Sequence, residues 1–536
     1  MLSTKSGPVL LFASLSLAAV NTCAADGLTG VPSANPKITG VTSPTVLSPE
    51  LAQIVRAQGS MLVENPMGLF KYYGYLDDHP NLVPPMGSNV EASKTEPDKN
   101  TYLILHGLHG ADQNYDYGTH FVFQGHEVGS QSGITRINLD ADAAHRVTLL
   151  TITESDGVTP FPTIDGSTWY PWAERLLFTA EGNGSTSGGV WQATPDFPSS
   201  AQNLLGVIGR GGYEGIQADS DGNIWIVEDI GGATVAGARV PNSFVYRFVP
   251  KNRRDLTQGG KLQALQVMKL DHSGPIVFNP ASALTQDVKD LHTYGNVFDT
   301  NWVTIHDTDV DGTVVFNANA LAKAKLATPF KRPENAQFRP GTHFRQFFFD
   351  ETGDTSTTST AIPDYGGFGG VMKLTQSDPS AASGKLTLFF KADLEHNSFD
   401  NVAFWDENHV VFVEDRGDGL HSQGNALDSG WMFDVRKDYS NPANQPIRII
   451  AQGRDPSATI DSGLQGTAGF QNEGDNEITG IHVSDGDAGV DGLLGAKNPH
   501  PFKDGWRVFY TGQHGDNITW EIIRAPHGDR DDDDRR

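Results

Sequence analysis

Four apolar runs of this 536-residue chain end on an acid. Phe121-Val-Phe-Gln-Gly125 leads to His126-Glu127, and Leu176-Leu-Phe-Thr-Ala180 leads to Glu181. Ile224-Trp-Ile-Val227 leads to Glu228-Asp229, and Val410-Val-Phe-Val413 leads to Glu414-Asp415. A divergent fifth copy, Val508-Phe-Tyr-Thr-Gly-Gln513, runs into His514-Gly-Asp516. Further acids stand in Tyr213-Glu214-Gly215, in Arg332-Pro333-Glu334 and in Asp475-Asn476-Glu477. Carboxylates crowded into one place repel one another by several kcal/mol unless a cation or protons neutralise them. Carboxylates joined by Asn and carbonyl oxygens suit calcium, which accepts about six to eight oxygen ligands in loose geometry. Taken singly each of these acids reads as a solvated loop residue; as a recurring set they read as a cation site.

Other chemistries find less support. The stretch Asp307-Thr-Asp309-Val-Asp311-Gly312 opens like a calcium loop, but Ala318 stands where an EF-hand needs its closing Glu, so it reads as an acidic surface turn. No Gly-x-Ser-x-Gly elbow precedes a helix, and no Gly-rich phosphate loop is followed by Lys-Ser or Lys-Thr. His106 and His109 lack the helix of a zinc protease.

The elements that must position the acids are short and β-rich. Asn223–Val227, Ser243–Phe248, His409–Val413 and Trp506–Tyr510 alternate with Gly, Asp and Asn turns, and helical periodicity is scarce. With 59 Gly and 30 Pro, the composition is that of an all-β protein. Repeated units that cannot bury their faces alone stack radially into a β-propeller, where corresponding strand ends converge on one axial mouth. Glu127, Glu181, Glu228, Asp229 and Glu414 would then face one another. A pair of β-sandwich domains, the competing fold, would scatter them.

Residues 1–24 read as a secretory signal peptide: Lys5 is their only charge, an apolar run spans Val9 to Val20, and small residues follow. No twin-arginine pair precedes the run, so the general secretory route is expected, to a secreted or periplasmic destination. Cleavage removes Cys23, the only cysteine, and leaves no disulfide and no thiolate ligand. Residues 25–100 read as an N-terminal strap, partly disordered, with a short helical pattern around Leu51 to Gln58. Residues 101–525 are the expected propeller, and 526–536 a disordered acidic tail. The formal charge of −26 favours cations and excludes nucleic acid as a partner. No apolar run beyond the leader has membrane-spanning length.

Several of these motifs, in their order, resemble the PhoX-type secreted alkaline phosphatases. They are Gly125-His126-Glu127, Thr179-Ala180-Glu181, Tyr213-Glu214-Gly215, Glu228-Asp229, Arg332-Pro333-Glu334, Glu477-Ile-Thr-Gly480 and Gln513-His514-Gly515. The resemblance covers about Asn100 to Ile523. It implies a six-bladed propeller that hydrolyses phosphate monoesters with a calcium and iron cluster in its mouth. It also implies that Glu181, Glu214, Asp229 and Glu334 bind metal, and that Arg332 grips phosphate through its planar fork. Ala180 stands where the family has an iron-binding cysteine, so the resemblance implies calcium here and leaves iron without its thiolate.

Three functions therefore compete: a calcium-dependent phosphoester hydrolase acting on a small anionic ester, a calcium-dependent lactonase or esterase, and a non-catalytic, calcium-stabilised binding propeller. Propellers host all three. Arg332 favours phosphate over lactone, unless it is simply paired with Glu334 or a neighbouring acid.

Overall fold

The computed structural model describes residues 27–33, 45–76, 94–128, 132–424, 426–452, 477–513 and 517–526. The segment expected to be a leader, most of the expected tail, Asp475, Asn476, and His514 to Asp516 lie outside them.

The chain winds into antiparallel meanders of four strands. Blade I comprises Thr101–Ile104, His120–Gly125, Ile134–Asn138 and Val147–Thr151. Blade II comprises Ile164–Tyr170, Arg175–Ala180, Gly189–Ala193 and Ala201–Asn203. Blade III is Tyr213–Ala218, Ile224–Glu228, Val245–Pro250 and Gly260–Val267. Blade IV is Ala336–Phe338, Gln346–Glu351, Gly370–Gln376 and Ser383–Lys391. Blade V is Phe399–Phe404, His409–Glu414, Ser429–Asp434 and Ile447–Ala451. Blade VI is Glu477–Ser484, Arg507–Gln513, Ile518–Arg524 and, as its outermost strand, Leu51–Ala57.

The first strand of each blade touches the first strand of the next, from blade I round to blade VI and back to blade I. That closed ring of six inner strands is a β-propeller. At the rim, Phe298–Asp307 pairs with the outer strands of both blades III and IV and welds them into one nine-stranded sheet. The apolar clusters lie between neighbouring blades. Phe348, Phe404 and Phe412 pack where blades IV and V meet, and Trp225 meets Trp302, Phe338 and Phe347 between III and IV. Both faces of a blade are covered in this way, so its strands are buried almost throughout.

Leu51–Ala57 is a strand rather than the helix its pattern suggests. The edge of Ile518–Arg524 supplies a ladder of backbone partners, and the branched Ile54 and Val55 suit that edge. Pairing an N-terminal strand with the last C-terminal ones closes the ring non-covalently. Asp307 to Asp311 forms one helical turn after the rim strand: Asp307 caps Asp309 N, and Lys251 pairs with Asp309. Those acids serve a turn. Among the described residues, no helix is long and apolar enough to cross a membrane.

Candidate metal centre

The acids at the mouth follow a rule of the fold. In five blades the residue after the second strand, or the next one on, turns its N–H back to the segment that enters that blade's inner strand. Glu127 donates to Glu96 O, Glu181 to Thr163 O, Asp229 to Gly212 O, Thr352 to Arg332 O and Asp415 to Ser398 O, at 2.7–3.0 Å. Two residues beyond each of these carbonyls stands an acid: Asp98, Asp165, Glu214, Glu334 and Asp400. Glu477, the first residue of the inner strand of blade VI, completes the circle. These six carboxylates are buried. Glu127, Glu181, Asp229 and Asp415 are half-buried beside them.

The blades approach so closely here that side chains are excluded. A Cβ on Gly166 would lie 2.2 Å from Glu214 O, and one on Gly215 2.7 Å from Asn335 Cα. Asp165-Gly166 and Glu214-Gly215 thus pair a mouth acid with a residue whose bareness lets the next strand in.

The acids form a continuous arc. Oxygens of Asp98, Glu127 and Asp165 lie within 4.8 Å of one another, as do those of Asp165, Glu181 and Glu214, and those of Glu214, Asp229 and Glu334. Sharing Asp165 and Glu214, the three trios run from blade I to blade IV. Burial, then repulsion from Asp165 and Glu181, pushes the Glu214 carboxyl well above its usual range. Burial does the same to Glu127, Asp165, Glu334, Asp400 and Glu477, each reinforced by neighbouring acids. Gln513 Nε2 steadies Glu127 at 2.9 Å.

Arg332 closes the arc. It lies in the left-handed region (φ 58°), as do Glu96 (49°) and Ser398 (51°) at the corresponding turns. Its Nε reaches both oxygens of Asp229 at 2.9 Å and its Nη2 reaches Asp229 Oδ2 at 2.8 Å. Glu334 lies 3.4 Å from Nη2, and Nη1 points to Thr355 Oγ1 at 3.4 Å. Burial opposes the guanidinium charge, but Asp229 and Glu334 outweigh it and raise its pKa.

Of the acids expected at one mouth, the structure brings together Glu127, Glu181, Glu214, Asp229 and Glu334, and Glu127 is among the acids that repel Glu477 in the adjoining blade VI. It places Glu228 and Glu414 elsewhere. Successive strand residues face opposite ways, so Glu228 turns from its neighbour Asp229 into blade III. There it accepts from Phe244 N, Tyr246 Oη and Asn319 Nδ2, and burial lifts its pKa to about 7. Glu414 turns from Asp415 and accepts from Arg416, Trp431, Ser429 N and Asn397 N. In blades III and V the mouth-facing acid stands one residue after Glu228 and Glu414, at the position Glu181 takes in blade II. Asp98, Asp165 and Asp400 escaped sequence reasoning, which followed the ends of second strands and, of the acids at the inner strands, found only Glu214, Glu334 and Glu477. The phrases Ile164-Asp-Gly166 and Phe399-Asp-Asn401, each an apolar or aromatic residue, an acid and a small or amide residue like Tyr213-Glu-Gly215, are the signal that finds Asp165 and Asp400; Asp98, in Pro97-Asp98-Lys99, does not share it.

The donor set fits calcium and lacks what a thiolate-bound iron needs: every ligand atom in the trios is a carboxylate oxygen, and Ala180 is buried at the end of its strand in blade II.

A propeller with an acid-lined mouth and one embedded arginine is the class that fold and site define. The family model of alkaline phosphatase PhoX matches residues 223–488, a span that contains Asp229, Arg332, Glu334, Asp400, Asp415 and Glu477. The structure resembles that of Pseudomonas fluorescens PhoX in complex with vanadate, with a TM-score of 0.54 at 12% identity, over 93% of this chain and 98% of that one. An auxiliary nutrient binding protein from Bacteroides thetaiotaomicron aligns with a TM-score of 0.35 at 9% identity, over 88% of this chain and 76% of that one. No curated protein matches the chain. Residues 223–488 are thus similar to the alkaline phosphatase PhoX family, and the chain shares the fold of PhoX.

Proposed function

We propose that the mouth is the active site of an exported, calcium-dependent phosphoester hydrolase. The observation that carries the reading is a guanidinium fixed by Asp229 at the end of an arc of carboxylate trios. Asp98, Glu127, Asp165, Glu181, Glu214, Asp229 and Glu334 would hold the cations. The chemistry calcium supplies when bound is positive charge against phosphoryl oxygens and a lowered pKa for an oxygen nucleophile. Arg332 keeps its Nη1 edge, beside Thr355, to donate to a phosphate oxygen. Asp229 positions that edge by occupying the other two nitrogens, and Glu127, Glu181, Asp229 and Asp415 leave the mouth open to a small anionic ester. The family match supports phosphate as the substrate group.

One observation favours a second reading. Asp229 already satisfies Arg332, so the arginine could be structural and the arc could act on a lactone or carboxylate ester, whose carbonyl needs no guanidinium. The discriminating experiment assays phosphate monoesters, phosphate diesters, lactones and carboxylate esters with calcium and with chelator. Calcium-dependent phosphate release supports the first reading; calcium-dependent lactone or carboxylate-ester cleavage without it replaces the first by the second.

A further inference from the structure

Lys99 is buried on the axis, one residue past Asp98 at the entrance to blade I. Its ammonium donates to Asn401 Oδ1 at 2.8 Å, with Val402 O at 3.5 Å. The carboxylates acting on its charge are Asp400, Asp98, Asp350 and Asp165, which come from blades V, I, IV and II. Asn401 passes the contact on. Its Nδ2 donates to Asp400 Oδ2 at 2.6 Å and to Thr479 Oγ1 at 2.9 Å, and the Thr479 hydroxyl donates to Asp98 Oδ1 at 2.5 Å. Ser167 of blade II holds the Lys99 carbonyl at 3.0 Å. One ammonium is thereby linked, through Asn401 and Thr479, to Asp400 of blade V, to blade VI and to Asp98 at the entrance to blade I.

A lysine is rarely buried without matched negative charge, because desolvation of an ammonium costs several kcal/mol. Burial pulls the Lys99 pKa down to about 8, and the four acids limit the fall. Two of those acids differ from the arc. Among the described residues, neither Asp350 nor Asp400 belongs to a close trio of possible ligands. Asp350 is fully buried; its Oδ1 accepts from Asn335 N at 2.7 Å, and its Oδ2 has no hydrogen-bond partner.

We propose that Lys99 is a built-in cation of the axial channel, occupying in the deep layer the place a metal ion would take and positioning Asp400 and Asp98 through Asn401 and Thr479. Metal binding is then confined to the arc from blade I to blade IV. This consequence rests on the reading of the arc as a cation site; the link from Lys99 through Asn401 and Thr479 to Asp400 and Asp98 does not.

The test uses the full chain, its Lys99→Met and Lys99→Arg variants, and Asp350→Asn in the parent and in Lys99→Met. Bound calcium is counted by elemental analysis after dialysis, and melting is followed with calcium and with chelator. Lys99→Met is expected to bind one more calcium per chain than the parent and to lose more melting temperature on chelation, while Lys99→Arg keeps the parental count. Asp350→Asn is expected to be more favourable to melting temperature in the Lys99→Met background than in the parent, because it removes an acid that has lost its counter-charge. An unchanged calcium count together with an equal effect of Asp350→Asn in both backgrounds overturns the proposal. If Lys99→Met does not fold, added calcium or Asp350→Asn is expected to rescue it, and failure of both overturns it. A parent that binds no calcium refutes the reading of the arc, while the Asp350 comparison still decides the role of Lys99.

Discussion

Arg332 and Asp229, 103 residues apart, share three close nitrogen–oxygen contacts of 2.8–2.9 Å where blade III meets blade IV. The carboxylate takes Nε and Nη2 of the guanidinium, which leaves Nη1 as the edge able to donate elsewhere. This fixes orientation as well as charge, because a planar fork held on one side presents its other side in one direction.

Replacing Arg332 by Lys keeps a positive charge near Asp229 and loses the fork. We expect metal content to stay at the parental value while kcat/KM for phosphate esters falls by about 2–3 kcal/mol, roughly 30- to 150-fold, as for a charged hydrogen-bond partner. Parental kcat/KM in this variant would make Arg332 a structural partner of Asp229.

Glu214 belongs to two trios, so Glu214→Gln removes one charged ligand from both. Changes around metal ligands already cost about 10- to 100-fold in affinity, and loss of a shared ligand should cost at least that in calcium titrations. Metal binding and hydrolysis are expected to fall together. A variant that binds calcium as the parent does would remove Glu214 from the site.

The raised pKa values of Glu127, Asp165, Glu214, Glu334, Asp400 and Glu477 fix the sign of the pH dependence without metal. A carboxyl whose folded pKa exceeds its unfolded one binds more protons in the native state. Stability is therefore greatest below the unfolded carboxylate pKa, about 4, and declines as pH rises through the folded values. Melting of chelated protein should fall from pH 5 to pH 8, and calcium should stabilise increasingly over the same range, by about 2.7 kcal/mol at a hundredfold excess over its Kd. Melting of chelated protein that rises with pH would contradict this.

How much of this was legible follows from where each acid stands. Glu127 and Glu181 end apolar runs and could be found, because a strand ending on an acid is a local pattern. Asp229 was found beside Glu228, but which of the two faces the mouth depends on a one-residue phase that only the backbone return to Gly212 O fixes. Asp98 and Lys99 sit in a Pro-containing segment with no strand pattern of their own. Their place is set by contacts with Asn401 and Thr479, some 300 to 380 residues away. Leu51–Ala57 carries no sign that Ile518–Arg524, at the far end of the chain, will pair with it. Local pattern disclosed the class of fold, and closure of the ring decided which acids meet.

Glu414 offers a control. It is fully buried and accepts from Arg416 at 2.7 Å and Trp431 at 2.8 Å. Glu414→Ala strands the buried Arg416 guanidinium and should cost about 3–5 kcal/mol of stability, read by denaturant unfolding. Calcium content per folded chain should not change. A loss of bound calcium without a loss of stability would place Glu414 at the mouth after all.

The most direct test combines elemental analysis of the purified protein with an assay of phosphate-ester hydrolysis before chelation, after chelation, and after restoring calcium alone. The expected result is bound calcium, iron absent or substoichiometric because Ala180 offers no thiolate, and hydrolysis that chelation abolishes and calcium alone restores. Metal-free protein whose melting is indifferent to chelator, or hydrolysis that returns only with iron, would contradict it.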